Sequence, residues 1–185
     1  MDNPSRWVRR FAPLVPPGEV LDLACGSGRH ARLFASLGHP VLALDRDPAA
    51  LAASAGQGIT TMPYDLEAEG AAFPFEPGRF AGIVVSNYLH RPLLAQLMAS
   101  LAPNGVLVYE TFALGNEAFG KPSNPAFLLR PGELLEWAAQ GGLRVIAFED
   151  GRVELPKPAM VQRICMAGPA FGGTEAQLDS LSGQE

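Results

Sequence analysis

Apolar side chains at positions 7, 8, 11 and 14 recur at helical spacing, so Trp7, Val8, Phe11 and Leu14 predict a short helix, which Pro13, Pro16 and Pro17 stop. Residues 20–25 form an apolar run with one acid, Asp22, inside it, and predict a first strand broken by Gly26, Ser27 and Gly28. Ala31, Phe34, Ala35 and Leu37 share one helical face, closed by Gly38. Residues 41–44 predict a second strand ending on Asp45. Asp47 and Pro48 then predict the N-cap and first residue of a helix reaching Gly56. Strands follow at 59–62 and 80–86, a helix opens at Pro92, and Pro103, Asn104 and Gly105 turn the chain into a fifth strand at 106–111. Pro131 opens a last helix carrying Leu134, Leu135, Trp137 and Ala138.

Residues 143–148 and 161–166 read as two more strands, joined by a link with no helical pattern. Parallel neighbours need a long crossover, so this last pair is expected to be an antiparallel hairpin. The pattern predicts an α/β fold: a doubly wound, mostly parallel seven-stranded sheet with an antiparallel C-terminal strand. It is expected as a single domain over 1–167, followed by a flexible or loosely docked tail over 168–185. Such sheets bind ligands beyond the carboxyl ends of their strands, which points to residues near 24–30, 45–47, 65–67, 87–91 and 109–112.

Composition narrows the class of function. With 48% hydrophobic residues and a net charge of −5, the chain can fold around a core. Fourteen basic against nineteen acidic residues argue against nucleic acid as partner, since phosphate neutralisation calls for a basic surface. Two cysteines, no apolar stretch of membrane-spanning length and no signal-like start lead to the expectation of a cytoplasmic protein, as monomer or homodimer. The three histidines and two cysteines show no metal-ligand spacing, so no metal is expected.

The chemistry starts at Gly26-Ser27-Gly28-Arg29-His30-Ala31, a G-x-G-x-x-G/A pattern between strand and helix. Glycine lets backbone turn tightly and approach a ligand, and the helix that follows offers free N–H groups. Asp45 closes the next strand, where a carboxylate can accept both ribose hydroxyls. Together they predict a nucleoside-containing cofactor.

The run VLDLACGSGR at 20–29 resembles the first motif of class I S-adenosylmethionine-dependent methyltransferases. VLALD at 41–45 is similar to their second-strand motif, Tyr64-Asp65-Leu66 to their third-strand tip, residues 80–87 to their fourth-strand motif, and LAPNGVL at 101–107 to their turn into the fifth strand. The resemblance covers roughly 18–167, and the CGSGR loop looks closest to small, stand-alone, tellurite-resistance-type members. One departure is Ala24, which stands where the family commonly has a glycine and would narrow the methionine end of the pocket.

The resemblance implies S-adenosylmethionine as cofactor. The backbone of Ala24, Cys25, Gly26 and Gly28 would cradle its methionine, Asp45 would hold the ribose, and Arg46, Asp65 and Leu66 would surround the adenine. Asn87 would lie near the donor methyl, and Asp22 would support the loop. Methyl transfer is an in-line displacement that proximity alone can drive, with a base needed only for a protonated acceptor. His90 and Glu110 are the candidate bases, with His30 behind them.

Residues 115–130 form a long irregular connection, a candidate acceptor loop. Tyr88, Tyr109, Asn116 and Asn124 are candidate acceptor-binding residues, with Lys121 and Phe127 beside them. Trp7 is either a lid or a core aromatic. The acceptor is expected to be a small molecule, with thiols and metalloid oxyanions first in line. Two other readings stay open: a nicotinamide-dependent oxidoreductase, and a module that binds the cofactor without catalysis.

Overall fold

The computed structural model describes residues 3–172. Helices and strands alternate as α1 (Arg6–Phe11), β1 (Val20–Leu23), α2 (Arg29–Ser36), β2 (Val41–Asp45), α3 (Pro48–Ser54), β3 (Ile59–Pro63), β4 (Phe80–Ser86), α4 (Leu94–Ala99), β5 (Leu101–Phe112), α5 (Glu133–Gln140), β6 (Arg144–Val153) and β7 (Ala159–Ala167). Short polar contacts fix the helix starts. The Ser5 hydroxyl accepts from the Trp7 amide at 3.1 Å, and Asp47 accepts from the Ala49 amide at 2.9 Å.

The strands form one seven-stranded sheet in the order β3-β2-β1-β4-β5-β7-β6. β1 to β5 run parallel, and β7 lies antiparallel between β5 and β6. This is the α/β sheet the pattern predicts. The chain walks from β1 outward to β3, then returns to place β4 on the other flank of β1, so strand order reverses at β1 and β4. There Leu23 pairs with both Leu44 and Val85, which sets the tips of β1, β2 and β4 side by side.

Side chains of the central strands alternate between two cores. On one face Leu21, Leu23, Ile83, Val85, Leu107 and Tyr109 pack with Leu134 and Trp137. On the other, Val20, Val84, Val106 and Val108 pack with Trp7, Phe11 and Phe34. Burial on both faces explains why these strands read as continuous apolar runs. Trp7 belongs to this second core; it is 2% exposed, and its indole N–H donates to the Ile164 carbonyl at 3.3 Å.

Three local features differ from the expected boundaries. Leu101 pairs with Phe80 while Val106 pairs with Gly82, so the expected turn at 103–105 is carried as a bulge inside β5. The final hairpin is longer than the apolar pattern suggests, reaching Val153 opposite Ala159, because its outer half is polar and exposed. The expected tail starts docked: the Gly168 amide donates to the Gly105 carbonyl at 2.9 Å, the Ala170 amide to Pro103 at 2.8 Å, and Phe171 is buried. The rest of that tail, 173–185, lies outside the described residues. Among the described residues, no helix is long and apolar enough to cross a membrane.

Candidate functional site

The glycine loop leaves β1 through residues that need unusual backbone. Ala24 has φ 54° and Gly28 has φ 77°, both in the left-handed region. A Cβ on Gly28 would run into Ser54 of α3, whereas one on Gly26 would meet nothing and point into open space. Only glycine therefore fits position 28, while at position 26 it meets a left-handed φ of 53° with open space beside it.

Asp45, at the tip of β2, accepts from the Gly26 amide at 2.8 Å and from the Asp47 amide at 3.0 Å, one bond per carboxylate oxygen. Each oxygen keeps a second lone pair for a ligand. Asp22 is buried beneath the loop and accepts from the Ala31 amide at 2.8 Å, which satisfies a free donor at the start of α2. Burial pushes its carboxyl up to about 8, against the Ala31 amide, which favours the charged form. Cys25 donates to the Gly26 carbonyl at 3.4 Å, and burial pushes its thiol up to about 12, so it is no nucleophile near neutrality.

Two cavities open at this end of the sheet. The first, about 210 Å³, brings together Ala24 from the glycine loop, Leu44, Asp45 and Arg46 from the end of β2, and Tyr64, Asp65 and Leu66 beyond β3, with Tyr88 across from them. The second, about 240 Å³, is lined by Asn87, Tyr88 and Leu89 after β4, Thr111 and Phe112 at the end of β5, and Pro122 and Phe127 from the long loop. Tyr88 walls both. Burial pushes its phenol well above the ordinary value, and the Glu67 and Asp65 carboxylates push the same way.

Arg91 shapes the second cavity from outside. Its guanidinium donates to both oxygens of Glu133, at 2.7 and 3.0 Å, and to the carbonyls of Ala126 and Leu128, at 2.7 and 2.8 Å. Phe127 sits between those two carbonyls, so the fork fixes the segment that carries it. Glu133 is 1% exposed. Burial favours its neutral form, but Arg91 and the Arg130 amide outweigh this and hold its carboxyl below the ordinary range. Nothing in the sequence marks this pair, whose members stand 42 residues apart.

The expected site residues divide accordingly. Ala24, Asp45, Arg46, Asp65 and Leu66 meet in the first cavity, with Cys25, Gly26 and Gly28 in the loop beside it. Asn87 and Phe127 line the second, and Tyr88 lines both.

Four expected residues are engaged elsewhere. Tyr109 is buried, and its hydroxyl donates to the Tyr88 carbonyl at 2.6 Å, tying down the loop after β4. Asn116 is buried too; its amide donates to the Pro122 carbonyl at 2.9 Å and accepts from the Met160 amide at 3.2 Å. Asn124 caps a short turn through the Ala126 amide at 3.0 Å. Glu110 accepts from the Ser86 hydroxyl at 3.0 Å, which in turn accepts from Arg29 at 3.0 Å, and by strand alternation it faces away from Tyr109.

His30 is also taken. Its Nε2 accepts from the Ser5 amide at 3.2 Å, and burial lowers its pKa to about 3. His90 is half-buried, follows Leu89 directly, and makes no side-chain hydrogen bond to the described residues. Lys121 is exposed and lines neither cavity.

A family model described as a methyltransferase domain matches residues 20–105. Over 106 residues the chain is 34% identical to the protein-L-isoaspartate O-methyltransferase of Chlorobaculum tepidum, a match covering 56% of this chain and 49% of that protein. The chain thus spans about half the length of the curated relative it matches. In three dimensions it is similar to an S-adenosylmethionine dependent methyltransferase from Mesorhizobium loti, with a TM-score of 0.69 and 19% identity over 86% of this chain and 95% of that one. It is similar also to TehB from Haemophilus influenzae, with a TM-score of 0.69 and 18% identity over 87% and 61% of the respective chains. The glycine loop and the acids at the tips of β2 and β3 lie within residues 20–105, the span that matches the methyltransferase-domain model, and the whole sheet has the fold of solved S-adenosylmethionine-dependent methyltransferases.

Proposed function

We propose that the chain transfers a methyl group from S-adenosylmethionine to a small-molecule acceptor. The observation that carries this reading is the pair of adjoining cavities on either side of Tyr88, one lined by two carboxylates at successive strand tips and the other by neutral side chains. The first suits a nucleoside. The free lone pairs of Asp45 accept the ribose hydroxyls, Asp65 accepts from the adenine amino group, and Leu66 and Arg46 cover the ring. The open space beside Gly26 leaves the loop backbone accessible to the methionine chain. When bound, the sulfonium supplies a carbon already activated for displacement.

The chain's own contribution is placement. Asn87 and Tyr88 separate the nucleoside from the acceptor and fix their distance, and proximity of this kind can supply several kcal/mol of the barrier. Among the described residues, no carboxylate, imidazole or ammonium lines the second cavity. Of the candidate bases, His90 is the one without an internal hydrogen bond, and it is the residue proposed to accept a proton where the acceptor releases one.

Calorimetric titration with S-adenosylhomocysteine, with NAD and NADP in parallel, tests the reading. Micromolar binding of the first alone is expected, weakened about tenfold or more in Asp45→Asn, which removes the carboxylate charge offered to the ribose. Binding of a nicotinamide nucleotide instead would replace this reading with the oxidoreductase one.

A further inference from the structure

Resting on the methyl-transfer reading, we infer that the second cavity takes an uncharged, planar, one- or two-ring acceptor bearing an O–H or N–H, and not an oxyanion. The walls give the shape. Phe112, Phe127 and Tyr88 contribute aromatic side chains to the lining, and Leu89 and Pro122 add apolar ones. Flat rings pack against such walls in offset or edge-on geometry. A cavity of about 150 Å³ holds a benzene, so about 240 Å³ suits one ring with substituents or two fused rings.

The polar groups give the charge. The Asn87 amide and the Thr111 hydroxyl are the neutral hydrogen-bonding groups of this lining besides the Tyr88 phenol, and neither bonds to the described residues. They offer donors and acceptors to a ring substituent without compensating a full charge. An oxyanion in this cavity would be desolvated with no cationic side chain in the lining to compensate it, which carries a large penalty. Arg91, two residues beyond Leu89, spends its guanidinium on Glu133 and on the Ala126 and Leu128 carbonyls. Lys121 lines no cavity wall.

The step balances without further reagents. A lone pair on the acceptor oxygen or nitrogen forms the new bond to the methyl carbon, the carbon–sulfur bond breaks with its electron pair left on sulfur, and the acceptor proton passes by way of water at the cavity mouth to His90, the base proposed above. That mouth lies beside Phe127, which is 50% exposed.

The test is ligand-observed NMR on the protein, free and saturated with S-adenosylhomocysteine, using 4-hydroxyquinoline, 2-naphthol and tellurite as probes. The hydroxylated rings are expected to bind and tellurite is not. Phe127→Ala should weaken ring binding at least tenfold, and Thr111→Val, which keeps the volume and removes the hydroxyl, about fivefold, while S-adenosylhomocysteine affinity changes less than twofold in both. Tellurite binding in place of the rings, or ring binding indifferent to both substitutions, would overturn the assignment. Failure of S-adenosylhomocysteine to bind would instead remove the cofactor reading beneath it, and ring binding to the free protein would still decide what this cavity takes.

Discussion

Ala24 shows how much one backbone angle constrains. A non-glycine residue at φ 54° carries roughly 1–2 kcal/mol of strain, of which an alanine returns little by packing. Ala24→Gly removes that strain but adds roughly 0.5–1 kcal/mol of unfolded-chain entropy, so thermal unfolding should show no change or a gain of up to about 1.5 kcal/mol. Ala24→Val places a β-branched side chain in the left-handed region and should cost about 2 kcal/mol or more. A melt in which valine is tolerated as well as glycine would show that the loop relaxes out of this conformation.

At the scale of elements, the Arg91–Glu133 pair joins the segment after β4 to the start of α5 and to the acceptor loop. Arg91→Met leaves a carboxylate buried without its main partner. A loss of about 3 kcal/mol is expected in denaturant unfolding, toward the low end for a buried pair because Arg91 is itself 36% exposed. The double change Arg91→Met with Glu133→Leu should recover most of it. If the single and double variants lose the same amount, the ion pair is not what holds the loop.

Legibility in the sequence follows the same division of elements. β1, β2 and β4 are legible because burial on both faces leaves an unbroken apolar run, and Asp47-Pro48 states its own helix start. The outer half of the β6–β7 hairpin is illegible because its exposed ladder is held by backbone bonds that accept any side chain. In the site, Ala24, Asp45, Asp65 and Leu66 could be placed because each ends or follows a strand. Asn116 and Asn124 could not, because a polar side chain in a loop looks the same whether it faces a ligand or a backbone carbonyl, and Tyr109 could not, because strand alternation alone does not say which face meets the pocket.

For the molecule as a whole, His30 sets part of the acid limit. Its folded pKa of about 3 lies below the ordinary histidine value near 6.5, so the unfolded chain takes up a proton first. Its contribution is complete above about pH 6.5 and is lost as pH falls from there toward 3, at about 1.4 kcal/mol per pH unit. Between pH 6.5 and 5 this amounts to about 2 kcal/mol. His30→Gln keeps an acceptor for the Ser5 amide without a titrating group, and should flatten that limb of a stability-against-pH curve. An unchanged slope would assign the acid limb to other groups.

Tyr88 has a consequence at this same scale. One ring is the partition between two chambers, so any displacement of it that a nucleoside causes is felt by whatever occupies the far side. The factor by which the first guest tightens or loosens the second is necessarily the factor by which the second acts on the first. In the proposed reading, coupling between the two guests would run through this side chain, whose backbone carbonyl accepts from the Tyr109 hydroxyl.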